Sequence, residues 1–127
     1  MVEGINNKMA GKILKTFRLA NLMTIEQFAS YIGISAIYLG SLERGIRSVI
    51  SDKYLDAILD NLNVSREFFD NLMTTGNTLE SILTLHVDLS EEAKERFLFQ
   101  ELSFLILNHY HEQTLKVGFI EKKKNKY

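Results

Sequence analysis

Cysteine, proline and tryptophan are all missing from this chain of 127 residues. The lack of cysteine excludes a disulfide scaffold and thiolate-bound zinc, and it permits a reducing compartment. The lack of proline leaves Gly, Asn and Ser to make the turns, which fits a nearly all-helical chain. No apolar run approaches the roughly 20 residues that span a bilayer. The opening MVEGINNKMAGK has no apolar block of the signal-peptide kind. The expected location is therefore the cytoplasm, away from membranes. An excess of one charge is also missing, with 15 basic and 16 acidic residues and a formal net charge of -1. Catalytic constellations are not visible either. His109 and His111 stand two residues apart, and on a helix they point to different sides and cannot chelate one ion. With His86 they are the only histidines. No phosphate-cradling glycine loop and no nucleophile elbow is present. The chain is expected to be no enzyme and to need no cofactor or metal.

What is present is an apolar content of 46%, enough for the core of one domain or of a small domain with an appended element. Its most informative stretch is MTIEQFASYIGISAIYLGSLERG, from Met23 to Gly45. Thr24 is suited to cap a first helix, Glu26 favours its first turn, and Phe28, Ala29 and Ile32 recur on one face. Gly33 can stop that helix in a left-handed conformation, and Ile34 can plug the angle that follows. Ser35 caps a second helix carrying Tyr38, Leu39 and Leu42, and Glu43, Arg44 and Gly45 close it. Two short amphipathic helices around a glycine turn are the layout of a helix-turn-helix, whose second helix enters the DNA major groove.

These residues resemble the helix-turn-helix regulators of the lambda-repressor and Cro type. That family's pattern is Thr-Gln-x-x-Leu-Ala, three residues, Gly-Val-Ser, and a recognition helix ending Ile-Glu-Arg-Gly. Thr24, Phe28, Ala29, Gly33, Ile34, Ser35, Leu42, Glu43, Arg44 and Gly45 stand at the matching positions without a gap. Upstream, GKILKTFRLANLM looks like the family's first helix, with Ile13, Leu14, Phe17 and Leu22 inside and Lys12, Lys15 and Arg18 outside. Downstream, YLDAILDNLNVSREFFDNL is similar to its fourth and fifth helices, hinged at Asn63-Val64-Ser65. The resemblance covers about residues 9 to 73. It implies a five-helix DNA-binding domain and a role in transcriptional regulation.

Two features depart from the usual footprint of DNA binding. Residues 1 to 75 hold eight basic residues (Lys8, Lys12, Lys15, Arg18, Arg44, Arg47, Lys53, Arg66) and eight acidic ones (Glu3, Glu26, Glu43, Asp52, Asp56, Asp60, Glu67, Asp70). A positive face must therefore be local, and Lys12, Lys15, Arg18, Arg44 and Arg47 are expected to share it. The second departure lies in the base-reading positions, where the family commonly carries long or polar side chains. Here Ala36 and Ile37 follow the capping serine, and Ile25 stands where glutamine is common. Ala36 and Ile37 can touch thymine methyls but cannot hydrogen-bond a base edge. The expected DNA contacts are Ser35, Tyr38, Ser41, Arg44, Arg47 and Ser48, with Ala36 and Ile37 as apolar neighbours and with DNA shape sharing the readout. An apolar tip at Ile34, Ala36, Ile37 and Gly40 also suits a protein partner.

Beyond the resemblance, MTTGNT reads as a turn, so residues 74–78 are expected to be a linker between a DNA-binding domain (1–73) and a C-terminal region (79–127). A short helix capped by Thr78 carries Leu79, Ile82 and Leu83. Ser90, followed by Glu91 and Glu92, then caps a long helix expected to reach about Thr114. Its middle, FLFQELSFLILNHY, is apolar nearly all round and must bury two faces. Phe97, Leu98, Leu102, Phe104 and Leu105 are therefore expected to form a homodimer interface. The tail, with Lys122, Lys123, Lys124 and Lys126, reads as a solvated basic segment.

The sequence thus predicts an all-α protein with a five-helix lambda-repressor-like domain and a C-terminal helical dimerisation element. The expected function is that of a dimeric repressor of bacterial, plasmid or phage type, bound to double-stranded DNA at an inverted repeat. The alternative is the same scaffold acting through protein contact, as an antirepressor, inhibitor or antitoxin.

Overall fold

Hydroxyl side chains start most of the helices. Thr24, Ser35, Ser51 and Ser65 each have extended backbone and accept a hydrogen bond from the amide three residues on, and each is followed by a helix. Capping of this kind satisfies amide groups that the first turn leaves without partners. The computed structural model describes residues 7–47 and 51–125, with side chains over 8–47 and 51–113. Its helices are α1 (Asn7–Ala20), α2 (Ile25–Ile32), α3 (Ala36–Glu43), α4 (Asp52–Leu62), α5 (Arg66–Thr84) and α6 (Glu91–Asn125). No strand occurs among the described residues.

The turn between α2 and α3 follows from its residues. Thr24 and Gln27 form a reciprocal capping box at the start of α2, and Gly33 ends it at φ 80°, where a Cβ would be strained. Ile34 is buried, so it belongs to the core and not to an exposed apolar tip. From α4, the Asn61 side chain donates to the Ile32 carbonyl at 3.0 Å and ties the fourth helix to the end of the second.

α1 lies at the centre and packs against α3, α5 and α6. Met9, Ile13, Leu14 and Phe17 from α1 meet Phe28, Ile32, Leu39, Leu42, Leu55, Phe69 and Leu72 in one core. Gly11 lets α1 cross α3 closely, because a Cβ there would collide with the Leu42 carbonyl.

The expected linker at 74–78 is not a turn. α5 runs unbroken through it, and Thr78 is an interior residue of that helix. Local turn composition is a weak preference, and packing overrides it. Gly76 is buried against the Met9 side chain, which occupies the space a Cβ would need. Leu72 and Leu83, on the same helix, are in the core. The chain breaks instead at residues 85–90, and Ser90 accepts from the Ala93 amide at 3.0 Å to start α6. α6 continues past Thr114 to Asn125. The side chains of the lysine-rich tail lie outside the described residues.

α6 has one inward face and one outward face. Leu98, Leu102 and Ile106 recur every fourth residue and are buried in the core, with Leu102 only 1% exposed. Leu105 and Tyr110 are partly buried against it. Leu98 and Leu102 therefore cover α1 and α5 within their own chain, which corrects the expectation that they meet a second one. Phe97 and Phe104 lie on the opposite face, with Phe104 62% exposed.

Candidate nucleic-acid interface

The outward side of α3 is built from few and mostly small groups. Ser35 is exposed, and its hydroxyl is engaged as the helix cap, accepting from the Tyr38 amide at 3.0 Å. Ala36 is half-buried against the core, whereas Ile37 is 80% exposed. Gly40 follows one turn after Ala36, and the Arg44 guanidinium lies across it, so a Cβ built at Gly40 would sit 2.9 Å from Arg44 Nη1.

Ser41 is a correction to the expected contacts, because it is buried. The chain leaving α3 folds back over it, and the Ile46 and Arg47 amides donate to the Ser41 carbonyl at 2.9 and 3.3 Å. Ser48 lies outside the described residues.

A second group of side chains gathers beside the end of α3. The Tyr38 ring packs against Tyr54 of α4 with centroids 5.5 Å apart, and the Arg47 guanidinium stands 5.6 Å from the Tyr38 ring centre. A cation over an aromatic face is held by the ring quadrupole. Burial pushes the Tyr38 phenol above its ordinary pKa, Tyr54 adds to the rise, and Arg47 opposes it. Tyr38 is thus half-buried with a polar tip, and it positions Arg47. On the other side, the Lys8 stem lies beside Gly45, 3.7 Å from the position a Cβ would take. Lys8, Arg44, Arg47 and Lys53 are all exposed.

Three cations expected on this face are turned elsewhere. Arg18 grips Glu43 through two hydrogen bonds of 2.8 Å and donates a third to the Met23 carbonyl at 3.1 Å. That hydrogen-bonded carboxylate raises the Arg18 pKa above its ordinary value, against the opposing effect of burial. Lys12 pairs with Glu80 of α5. Lys12 and Lys15 line a cavity of about 250 Å³ opposite Glu92, Glu95 and Arg96 of α6. Lys12 and Lys15 therefore face the C-terminal helices, whereas Arg18 is tied to the end of α3.

The acidic stretch is also organised. Arg66 reaches Asp52, Asp56 and Asp70 at 3.1 Å each, which gathers three carboxylates between α4 and α5. These aspartates hold the Arg66 pKa above its ordinary value although burial works the other way. The basic group beside α3 is thereby left with a local positive character that net charge conceals.

Tyr54 was not singled out from the sequence, Lys8 entered only in the charge count, and Gly40 only as part of an apolar tip. Tyr54 could have been found, since it falls off the Leu55, Ile58 and Leu59 stripe of α4. Among the described residues no group of three His, Cys, Asp or Glu could hold a metal ion, and no helix is long and apolar enough to cross a membrane.

Residues 14–69, from α1 into the first turn of α5, match the family model described as helix-turn-helix. No curated protein and no solved structure matches the chain. The match takes in α2, the Gly33 turn and α3 with their caps in place. Residues 14–69, somewhat under half of the chain, are thus similar to the helix-turn-helix domains of the lambda-repressor and Cro type.

Proposed function

We propose that this protein is a transcriptional repressor that binds an inverted repeat in double-stranded DNA as a two-fold homodimer and occludes a promoter. DNA contact at α3 is supported by exposed Ser35 and Ile37 on its outward side and by Arg44, Arg47 and Lys8 around its far end. Of these, Arg47 and Lys8 can neutralise phosphates beside a groove while α3 and Arg44 approach base edges.

The dimer rests on the outward face of α6. Phe97, Gln100, Phe104, Leu107 and His111 are all exposed and are spaced alternately three and four residues apart. That is the seam spacing of two helices packed side by side. A two-fold pair on this seam gives the half-site contacts that one helix-turn-helix lacks, with recognition helices about 34 Å apart.

The observation that carries the reading is the guanidinium pair Arg44 and Arg47, exposed at the end of α3 while Arg18 and Lys12 are paired with Glu43 and Glu80. Selection of bound fragments from random and genomic duplexes tests it. Recovery of a palindromic site supports the reading, and recovery of no sequence above background contradicts it.

A second reading has its own observation. Ile37 and Ile46 are both exposed beside α3, an apolar surface that suits contact with another protein. In that case Ile37→Glu abolishes activity in cells while the purified protein binds no duplex at any salt concentration.

A further inference from the structure

Gly40 stands in the middle of an eight-residue helix, a place where glycine is less favourable than alanine because it has more backbone freedom to lose. Packing does not require it. The nearest atoms to a Cβ at Gly40 all belong to the tip of the Arg44 side chain, Nη1 at 2.9 Å, Cζ at 3.7 Å and Nη2 at 3.8 Å. Such a tip moves easily. Gly11 and Gly76 differ, since the space beside them is taken by the Leu42 carbonyl and by the Met9 side chain. Gly40 is itself buried, and the side its Cβ would occupy is covered by the exposed Arg44, whose guanidinium is seated across the bare backbone.

The other groups on that face offer a base edge few hydrogen bonds. The Ala36 and Ile37 side chains carry no polar atom, Gly40 has no side chain, Ser41 is buried, and Ser35 lies at the very start of the helix, where its hydroxyl accepts from the Tyr38 amide. Arg44 alone brings hydrogen-bond donors across the centre of the helix. A guanidinium presents two parallel N–H groups, which match O6 and N7 of guanine in the major groove.

Building on the DNA-binding reading above, we infer that Arg44, seated across Gly40, determines specificity: it reads one guanine in each half-site, and Ile37 meets the methyl of a nearby thymine. The seat keeps the guanidinium flat on the recognition face before binding. That reduces the side-chain freedom lost when it engages a base.

The test is selection and sequencing of bound duplexes with the full chain and with Arg44→Ala, Arg44→Lys and Gly40→Ala. The unaltered chain should select a fixed G·C pair in each half-site. Arg44→Ala should lose preference at that pair by about tenfold or more while keeping its preferences elsewhere. Arg44→Lys should keep much of the affinity and lose the same preference, because an ammonium is a point charge without the fork. Gly40→Ala should melt no lower than the unaltered protein yet discriminate less at that pair. If Arg44→Ala weakens all sequences equally, Arg44 is a phosphate contact and the inference fails while the DNA-binding reading stands. If Gly40→Ala unfolds the protein and leaves discrimination intact, the seat has no part in readout. If the unaltered chain selects no site, both the inference and the reading beneath it fall.

Discussion

Arg18 and Glu43 meet as a two-pronged ion pair that joins the first helix to the last residue of the recognition helix. Both side chains are largely withdrawn from water, at 12% and 5% exposure. The pair fixes the end of α3 at the point where the chain turns toward Arg44 and Arg47. A charge expected at the surface is instead a brace for the end of α3.

Removing one partner strands the other in a poorly hydrated site, which costs about 3 kcal/mol. Glu43→Gln and Arg18→Met should each lower stability by that order in urea denaturation. The double variant Arg18→Met with Glu43→Leu should recover most of the loss, since neither charge is then left alone. Single variants within about 0.5 kcal/mol of the unaltered protein would show that the pair does not hold the two helices together.

The crossing of α1 over α3 depends on Gly11. Gly11→Ala places a methyl against the Leu42 carbonyl, a backbone group that cannot move aside without shifting the recognition helix. We expect a loss of about 3 kcal/mol or more, read by thermal melting. A Gly11→Ala protein that melts with the unaltered one would show that the two helices are farther apart than described.

The two faces of α6 should respond oppositely to a charge. Leu102→Glu buries a carboxylate in the core and should unfold the protein. Phe104→Glu, on the outward face, should leave the helical circular dichroism unchanged and convert dimers to monomers in sedimentation. An unaltered protein that sediments as a monomer would contradict the seam.

Tyr38 and Tyr110 both have phenols raised above 10.0, chiefly by burial, with Tyr54 and Tyr31 respectively adding to the rise. Such a group favours folding while it is neutral. Its contribution is complete below the unfolded value near 10 and is lost as pH climbs through the folded value. Melting temperature should therefore not fall on account of these groups from neutral pH to about 9, and should drop above about 10 as tyrosinate absorbance appears. Phe substituted at both positions should flatten that drop, and an unchanged alkaline drop would remove the tyrosines as its cause.

Much of the fold could be read from short-range signals. Thr24, Gly33, Ser35 and Ser90 act through groups within a few residues, and each sits where its chemistry places it. The Thr74 to Thr78 segment could not be read this way, because its helix is decided by Met9, far away in sequence. The same holds for Arg18 and Lys12, whose partners lie 25 and 68 residues away. In α6 the apolar residues run round the helix, so periodicity could not say that Leu98 and Leu102 face inward while Phe97 and Phe104 face outward. At the candidate interface, the side-chain types were legible, but the burial of Ser41 under the returning chain was not.

The central claim is that the exposed side of α3 and its flanking arginines meet duplex DNA, and the salt dependence of binding tests it most directly. Affinity for the selected duplex should fall linearly on a log–log plot against salt concentration, and Arg47→Ala should reduce the slope by about one. The absence of binding at low salt, or a slope that Arg47→Ala leaves unchanged together with Arg44→Ala, would contradict it.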